Sequence, residues 1–131
     1  MSGGHDYECE SNTDKVLLNL ALLNKVEVDE NREVVVLQPA ARWGEVYQVL
    51  EPLGYDIPGG QCPKVGVGGY LLGTGFNWLL SRFYGSGAEN TIELVAVLAD
   101  GSIQRVNWEN EYKDLMWGLL GGGGNQFALV V

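Results

Sequence analysis

The chain has 131 residues, 46% hydrophobic and 19% charged, enough for one folded domain with a modest core. Its net charge is −9 and its eight basic residues are scattered singly, which excludes the dense phosphate contacts of nonspecific nucleic-acid binding. No apolar run approaches the roughly 20 residues of a membrane-spanning helix, and the first residues show no charged-then-apolar leader pattern, so the sequence specifies no compartment.

The chain opens on SGGHDYEC, residues 2–9, which holds two glycines, the only histidine (His5) and Cys9. Short apolar runs of β type follow from Lys15 to Asp29. KVEVDENREVVVLQP predicts a hairpin: Val26 and Val28 alternate with polar residues, DENR is the turn, and Val34 to Leu37 return before Pro39. Trp43, Val46, Tyr47, Leu50 and Leu53 then recur at helical spacing on one apolar face. Gly54 sits where a C-cap glycine belongs, and Pro52 predicts that the helix closes a little earlier. A glycine-rich centre follows, with NWLLSRFYG as a short helix. NTIELVAVLADGSIQRVN predicts a second hairpin turning at Asp100-Gly101. Its first strand is apolar on both faces, which predicts burial between layers. NEYKDLMWGLL predicts another short helix, stopped by Gly121, and NQFALVV begins a last strand. The fold class is α+β in a single domain spanning 1–131, without internal repeat or linker.

Nineteen glycines are roughly twice the usual share of about 7%. They cluster between apolar segments, a pattern of tight turns and close backbone approach to a ligand or another backbone. Backbone N–H groups in such loops bind phosphate without basic side chains. Two familiar phosphate loops do not fit. A G-x-G-x-x-G fingerprint from Gly66 and Gly68 meets Leu71, and Gly68 and Gly73 have P-loop spacing but are followed by Thr74. The cysteines, Cys9 and Cys62, leave one disulfide open, and with His5 they lack the close paired spacing of a zinc site.

Three blocks, in order, resemble the FAD-binding domain of the vanillyl-alcohol oxidase and p-cresol methylhydroxylase (PCMH) superfamily, in its berberine-bridge-enzyme-like branch. SGGHDYE is similar to R-S-G-G-H-S-Y-E. GGQCPKVGVGGYLLGTGFNWLLSRFYGSGAEN is similar to G-x-C-P-T-V-G-V-G-G-x-x-x-G-G-G-x-x-x-x-S-R-x-Y-G-x-x-x-D-N. DLMWGLLGGGGNQF is similar to D-L-F-W-A-L-R-G-G-G-G-N-F. The resemblance implies that backbone N–H groups of Ser2, Gly3 and Gly4 wrap the FAD pyrophosphate. It implies that His5 is joined covalently to the flavin 8-methyl group, a role that suits a neutral imidazole nitrogen. Without the resemblance, His5 is a loop residue. Cys62 stands where bicovalent members join carbon 6 of the flavin, as a thiolate nucleophile; the alternative is an inert buried cysteine. Cys9 has no implied role. Val65, Gly66, Val67, Gly68, Gly69, Gly73 and Gly75 are implied to line the adenosine and pyrophosphate channel, with Val67 and Tyr70 equally suited to the core. The resemblance also implies that Gly121 to Gly124 form a turn near the cofactor.

The chain departs from that pattern in places. Met1 replaces the Arg of the first block, Thr74 the middle glycine of the triple glycine, Leu120 the Arg of the third block, and Glu89 the Asp of the second. A side chain at Thr74 costs stability wherever the backbone needs φ > 0. The larger departure is length. The family has an N-terminal lobe before the opening loop and a substrate domain after, so the expectation is a partial FAD-binding PCMH-type domain lacking most of its N-terminal lobe and the substrate domain. The face left by that lobe is then exposed and apolar, and the final strand is an unpaired edge. Two readings follow. One is an FAD-dependent oxidoreductase of oxidase type, incomplete for catalysis alone, with FAD as cofactor, an unidentified small-molecule substrate and O₂ as acceptor. The other is a non-catalytic remnant or interaction module that pairs with a partner flavoprotein. Neither involves nucleic acid or membrane. Members of the family are often secreted.

Overall fold

The computed structural model describes residues 3–5, 7, 13–124 and 126–131. Strands β1 (Val26–Asp29) and β2 (Val34–Leu37) pair antiparallel, with Val26 opposite Leu37. Asp29 Oδ1 accepts the N–H groups of Asn31 and Arg32 and so fixes the predicted turn. The apolar runs before this hairpin form no strand. Asn19 Oδ1 accepts the Ala21 N–H and Leu23 donates to Leu20 O, so a turn takes the backbone groups that a ladder would need. Val16 and Leu22 are left 79% and 92% exposed.

Helix α1 (Trp43–Leu50) starts where the Glu45 carboxylate accepts the Arg42 N–H at 2.8 Å. Trp43, Val46 and Leu50 are buried, as their spacing predicts. Leu53 is 47% exposed, because Pro52 tightens the chain into a 3-10 turn over Glu51–Leu53 and takes it off the helical face. Gly54 closes the turn at φ 75°.

Helix α2 (Val67–Leu72), VGGYLL, has no signal in the sequence, because two interior glycines oppose it. Tertiary contact overrides that preference. The Gly68 N–H donates to Pro39 O, and a Cβ on Gly68 would lie 2.9 Å from that oxygen. Helix α3 (Ser81–Tyr84) is a single turn. Asn77 launches it: Oδ1 accepts the N–H groups of Leu79 and Leu80, and the Asn77 N–H donates to Ser81 Oγ.

Strands β3 (Glu93–Val97) and β4 (Ile103–Asn107) form the second hairpin, helix α4 (Lys113–Leu119) follows, and β5 (Leu129–Val130) returns beside β3 in the order β4-β3-β5. The turn carries Gly101 at φ 85°, with Asp100 Oδ1 accepting the Ser102 N–H and hydroxyl. Strand β3 is not buried on both faces. Leu94 and Ala96 are buried while Glu93, Val95 and Val97 are only half-buried. The buried face packs in one cluster with Met116 and Leu119 of α4, Val106 of β4 and Leu72 of α2. The last strand pairs with β3 along one side, Ala96 opposite Val130. A second core joins Ala41, Trp43, Val46, Leu50 and Val67 beneath the first hairpin.

Candidate cofactor-binding site

Helix α2 links the three glycine blocks. At its start, the opening loop meets it main chain to main chain: a Cβ on Gly3 would lie 2.4 Å from Gly66 N and 2.9 Å from Gly66 Cα. At its end, the Leu72 carbonyl accepts the N–H groups of Gly121 and Gly122, both at 2.9 Å. A Cβ on Gly124 would lie 2.4 Å from Leu72 Cβ. Six helical residues span about 9 Å, so blocks far apart in sequence touch opposite ends of one short rod.

Other glycines serve the core. Cβ atoms on Gly59 and Gly60 would lie 2.3 Å and 2.5 Å from the Trp43 indole. Their segment is held by side-chain donors: Tyr47 donates to Gly60 O at 3.0 Å and Tyr70 to Pro58 O at 3.3 Å, while Asn77 Nδ2 donates to Gly59 O at 2.7 Å. Burial, with the nearby Asp56 charge and Tyr70, pushes the Tyr47 phenol up to about 12. Burial also raises Tyr70. Both therefore stay neutral donors at ordinary pH.

The expected site residues divide by environment. Among the described residues, nothing lies within 4 Å of where a Cβ on Gly4 (φ +66°) or Gly69 would stand. Gly75 (φ +68°) is pressed against the Tyr70 ring, and Gly73 lies over Gly69 O. Val67 is 1% exposed and belongs to the core, so only its backbone can meet a ligand. Tyr70 packs edge-on against Trp43, and Val65 lies half-buried against the same cluster. His5 is exposed, its ring 5.5 Å from that of Tyr7. Cys62 is exposed and carries a free thiol, not an inert buried one. Its carbonyl accepts the Val65 N–H, so the turn bearing the thiol leads directly to the Gly66 contact. Ser2, Cys9 and Met1 lie outside the described residues. Among the described residues no His, Cys, Asp or Glu cluster could hold a metal ion. A groove of about 560 Å³ lies elsewhere, between the first hairpin and residues 90–94, and none of the expected site residues lines it.

The departures also have places. Thr74 adopts φ +87°, the region that favours glycine. Leu120 packs on the second-hairpin core, which an arginine would not do as well. Glu89 Oε2 accepts both the N–H and the hydroxyl of Ser86 at 2.7 and 2.8 Å, and these bonds hold its carboxyl below the usual range.

Open space above Gly4 and Gly69, and a loop docked backbone to backbone, are what close approach to a dinucleotide requires, and these residues fit FAD. Sequence comparison agrees. The chain belongs to the FAD binding domain family, whose profile matches residues 1–107, and the relatives it matches include berberine bridge enzyme-like proteins of Arabidopsis thaliana. It is 38% identical over 135 residues to tetrahydroberberine oxidase of Berberis wilsoniae, covering 99% of this chain and 25% of that protein. Among solved structures, 6-hydroxy-D-nicotine oxidase of Arthrobacter nicotinovorans superposes with a TM-score of 0.91 at 26% identity, over 100% of this chain and 28% of that one. The Acremonium strictum glucooligosaccharide oxidase, described as having a novel flavinylation, gives 0.75 at 38% identity over 87% and 23%. The chain thus spans about a quarter of the length of these relatives.

Proposed function

We propose that residues 1–131 are a partial PCMH-type domain that holds FAD in an FAD-linked oxidoreductase. The observation that carries this reading is the docking of the opening loop on Gly66 at one end of α2 and of Gly121 and Gly122 on Leu72 at the other. Main-chain N–H groups of Ser2, Gly3 and Gly4 bind the diphosphate, where they need no basic side chain. Gly66, Gly68, Gly69, Gly73 and Gly75, with the backbones of Val65 and Val67, give the cofactor a close main-chain wall. His5 and Cys62, both exposed, are the points of covalent attachment. When bound, FAD accepts a hydride from the substrate and passes the electrons on to O₂. The protein's own part is to bind and orient it.

The test is expression with flavin available, followed by an absorbance spectrum and an intact mass after denaturation. Flavin absorbance with a mass gain of one FAD is expected, kept through the remaining bond in His5→Ala or Cys62→Ala and lost in the double variant. A colourless chain in excess FAD overturns the reading; a gain that survives in the double variant overturns the attachment sites alone.

One set of observations favours the second reading, an interaction module. Phe76, Trp78, Leu79 and Phe83 are 65–77% exposed around α3, and Val16 and Leu22 are exposed before the first hairpin. Apolar residues so placed suit a protein partner. Stable co-purification with a companion flavoprotein, in a chain that itself takes up no flavin, would select this reading.

A further inference from the structure

The opening loop docks on Gly66, and Gly66 is itself bridged to Arg42, the residue just before helix α1. The Trp43 N–H donates to Val65 O at 3.1 Å, and the Val67 N–H donates to Ala41 O at 2.9 Å. These bonds flank Arg42 and Gly66, which share none of their own. Such an antiparallel pair is the closer kind, with Cα atoms about 4.5 Å apart and side chains on one face. Gly66 has no side chain, so on that face the Arg42 side chain stands beside bare main chain. Arg42 itself is extended, at φ −110° and ψ 149°. Its side chain is exposed, and among the described residues no carboxylate lies within ion-pair distance of the guanidinium. The Glu45 carboxylate is turned instead to the Arg42 main-chain N–H, at 2.8 Å.

A dinucleotide brings a charged diphosphate to a chain whose own net charge is −9. Main-chain N–H groups can hold that diphosphate, but they carry only partial charge to set against it. Elsewhere the arginines are engaged: Arg82 lies over the Phe83 ring and Arg105 pairs with Glu93. The Arg42 guanidinium is unpaired, at the place where the opening loop meets Gly66. Its planar fork of donors matches phosphate oxygens. We infer that the Arg42 guanidinium pairs with the diphosphate of the bound dinucleotide and holds it against the opening loop. Arg42 lies outside all three glycine blocks, so the motifs assign it no role. This rests on the FAD-binding reading above.

The test uses the full chain as native protein, Arg42→Gln, Arg42→Lys and Lys64→Gln. Lys64, in the turn between Cys62 and Gly66, controls for charge alone. Each is melted without ligand and titrated with FAD and, separately, with ADP, at low and high salt. Arg42→Gln is expected to melt as the native chain does yet bind both ligands at least about tenfold more weakly, the scale of a charge-assisted contact. That gap should narrow at high salt. Arg42→Lys, which keeps the charge but not the fork, should lie between. Lys64→Gln should bind nearly as the native chain does. If Arg42→Gln binds both ligands as the native chain does, the Arg42 contact is wrong and FAD binding stands. Weakening for FAD but not ADP removes the diphosphate as the partner. An equal loss in Lys64→Gln assigns the effect to the general field of the chain and overturns the inference. If the native chain binds neither ligand, the inference falls together with the cofactor reading.

Discussion

Gly59 and Gly60 stand in contrast to Gly4 and Gly69. The first pair lies against the Trp43 indole, where a Cβ would overlap the ring at 2.3 and 2.5 Å. Among the described residues, the second pair has nothing within 4 Å of that position. Both are glycines in glycine-rich stretches, but the reasons differ. At Gly59 and Gly60 the protein's own core excludes a side chain. Gly4 needs glycine for its φ of +66°, yet Gly69 lies in a helix, where alanine would be the better residue by about 1 kcal/mol. A helical glycine with free space around it is explained by something that approaches from outside. High glycine content is thus two signals superposed, and only one of them leaves room for a ligand.

The contrast can be broken by substitution. Gly60→Ala carries the largest expected effect. Overpacking against Trp43 should destabilise the fold by about 2–3 kcal/mol, read as a lower midpoint in denaturant; an unchanged midpoint would show that the indole yields freely. Gly3→Ala comes next and acts on the ligand side. Its Cβ meets Gly66 N at 2.4 Å and displaces the opening loop. FAD affinity should fall at least about tenfold, while stability changes by less than about 1 kcal/mol because the loop is peripheral. A large loss of stability with unchanged affinity would reverse that assignment. The smallest effect is in acid. Hydrogen bonds from Ser86 lower the Glu89 carboxyl, and those from Ser102 lower Asp100. Burial raises Glu93, but bonds from Asn107 and Arg105 outweigh it and the net shift is downward. Carboxyls lowered on folding stabilise above their ordinary range and lose that contribution as pH falls through it. Thermal midpoints should therefore decline below about pH 4.5, and Glu89→Gln should show a shallower decline.

Much of this was readable from sequence where one local signal sufficed. Trp43, Val46 and Leu50 gave the α1 face by spacing, and DENR and Asp100-Gly101 gave both hairpins by turn chemistry. The three motif blocks identified the family. Helix α2 was not readable, because its stability comes from Pro39 and from packing of Val67 and Leu72, none of which local propensity records. The β-type apolar runs of residues 15–29 form a strand only from Val26, for the opposite reason: before it the apolar composition was right, but the Asn19 turn took the backbone. Among the glycines, the division into packing and open positions was not readable, since it depends on what lies 2–4 Å from an absent atom. Nor could the meeting of Leu72 with Gly121 and Gly122 be inferred, because no sequence pattern marks a carbonyl shared by two distant N–H groups.

Whether the outward-facing glycines leave room for FAD is measured most directly by an FAD titration of the native chain beside Gly69→Ala, with a melt of each. Saturable FAD binding by the native chain is expected, with a variant that is equally or more stable yet binds FAD distinctly more weakly. Equal FAD affinity in a stabilised Gly69→Ala would contradict it.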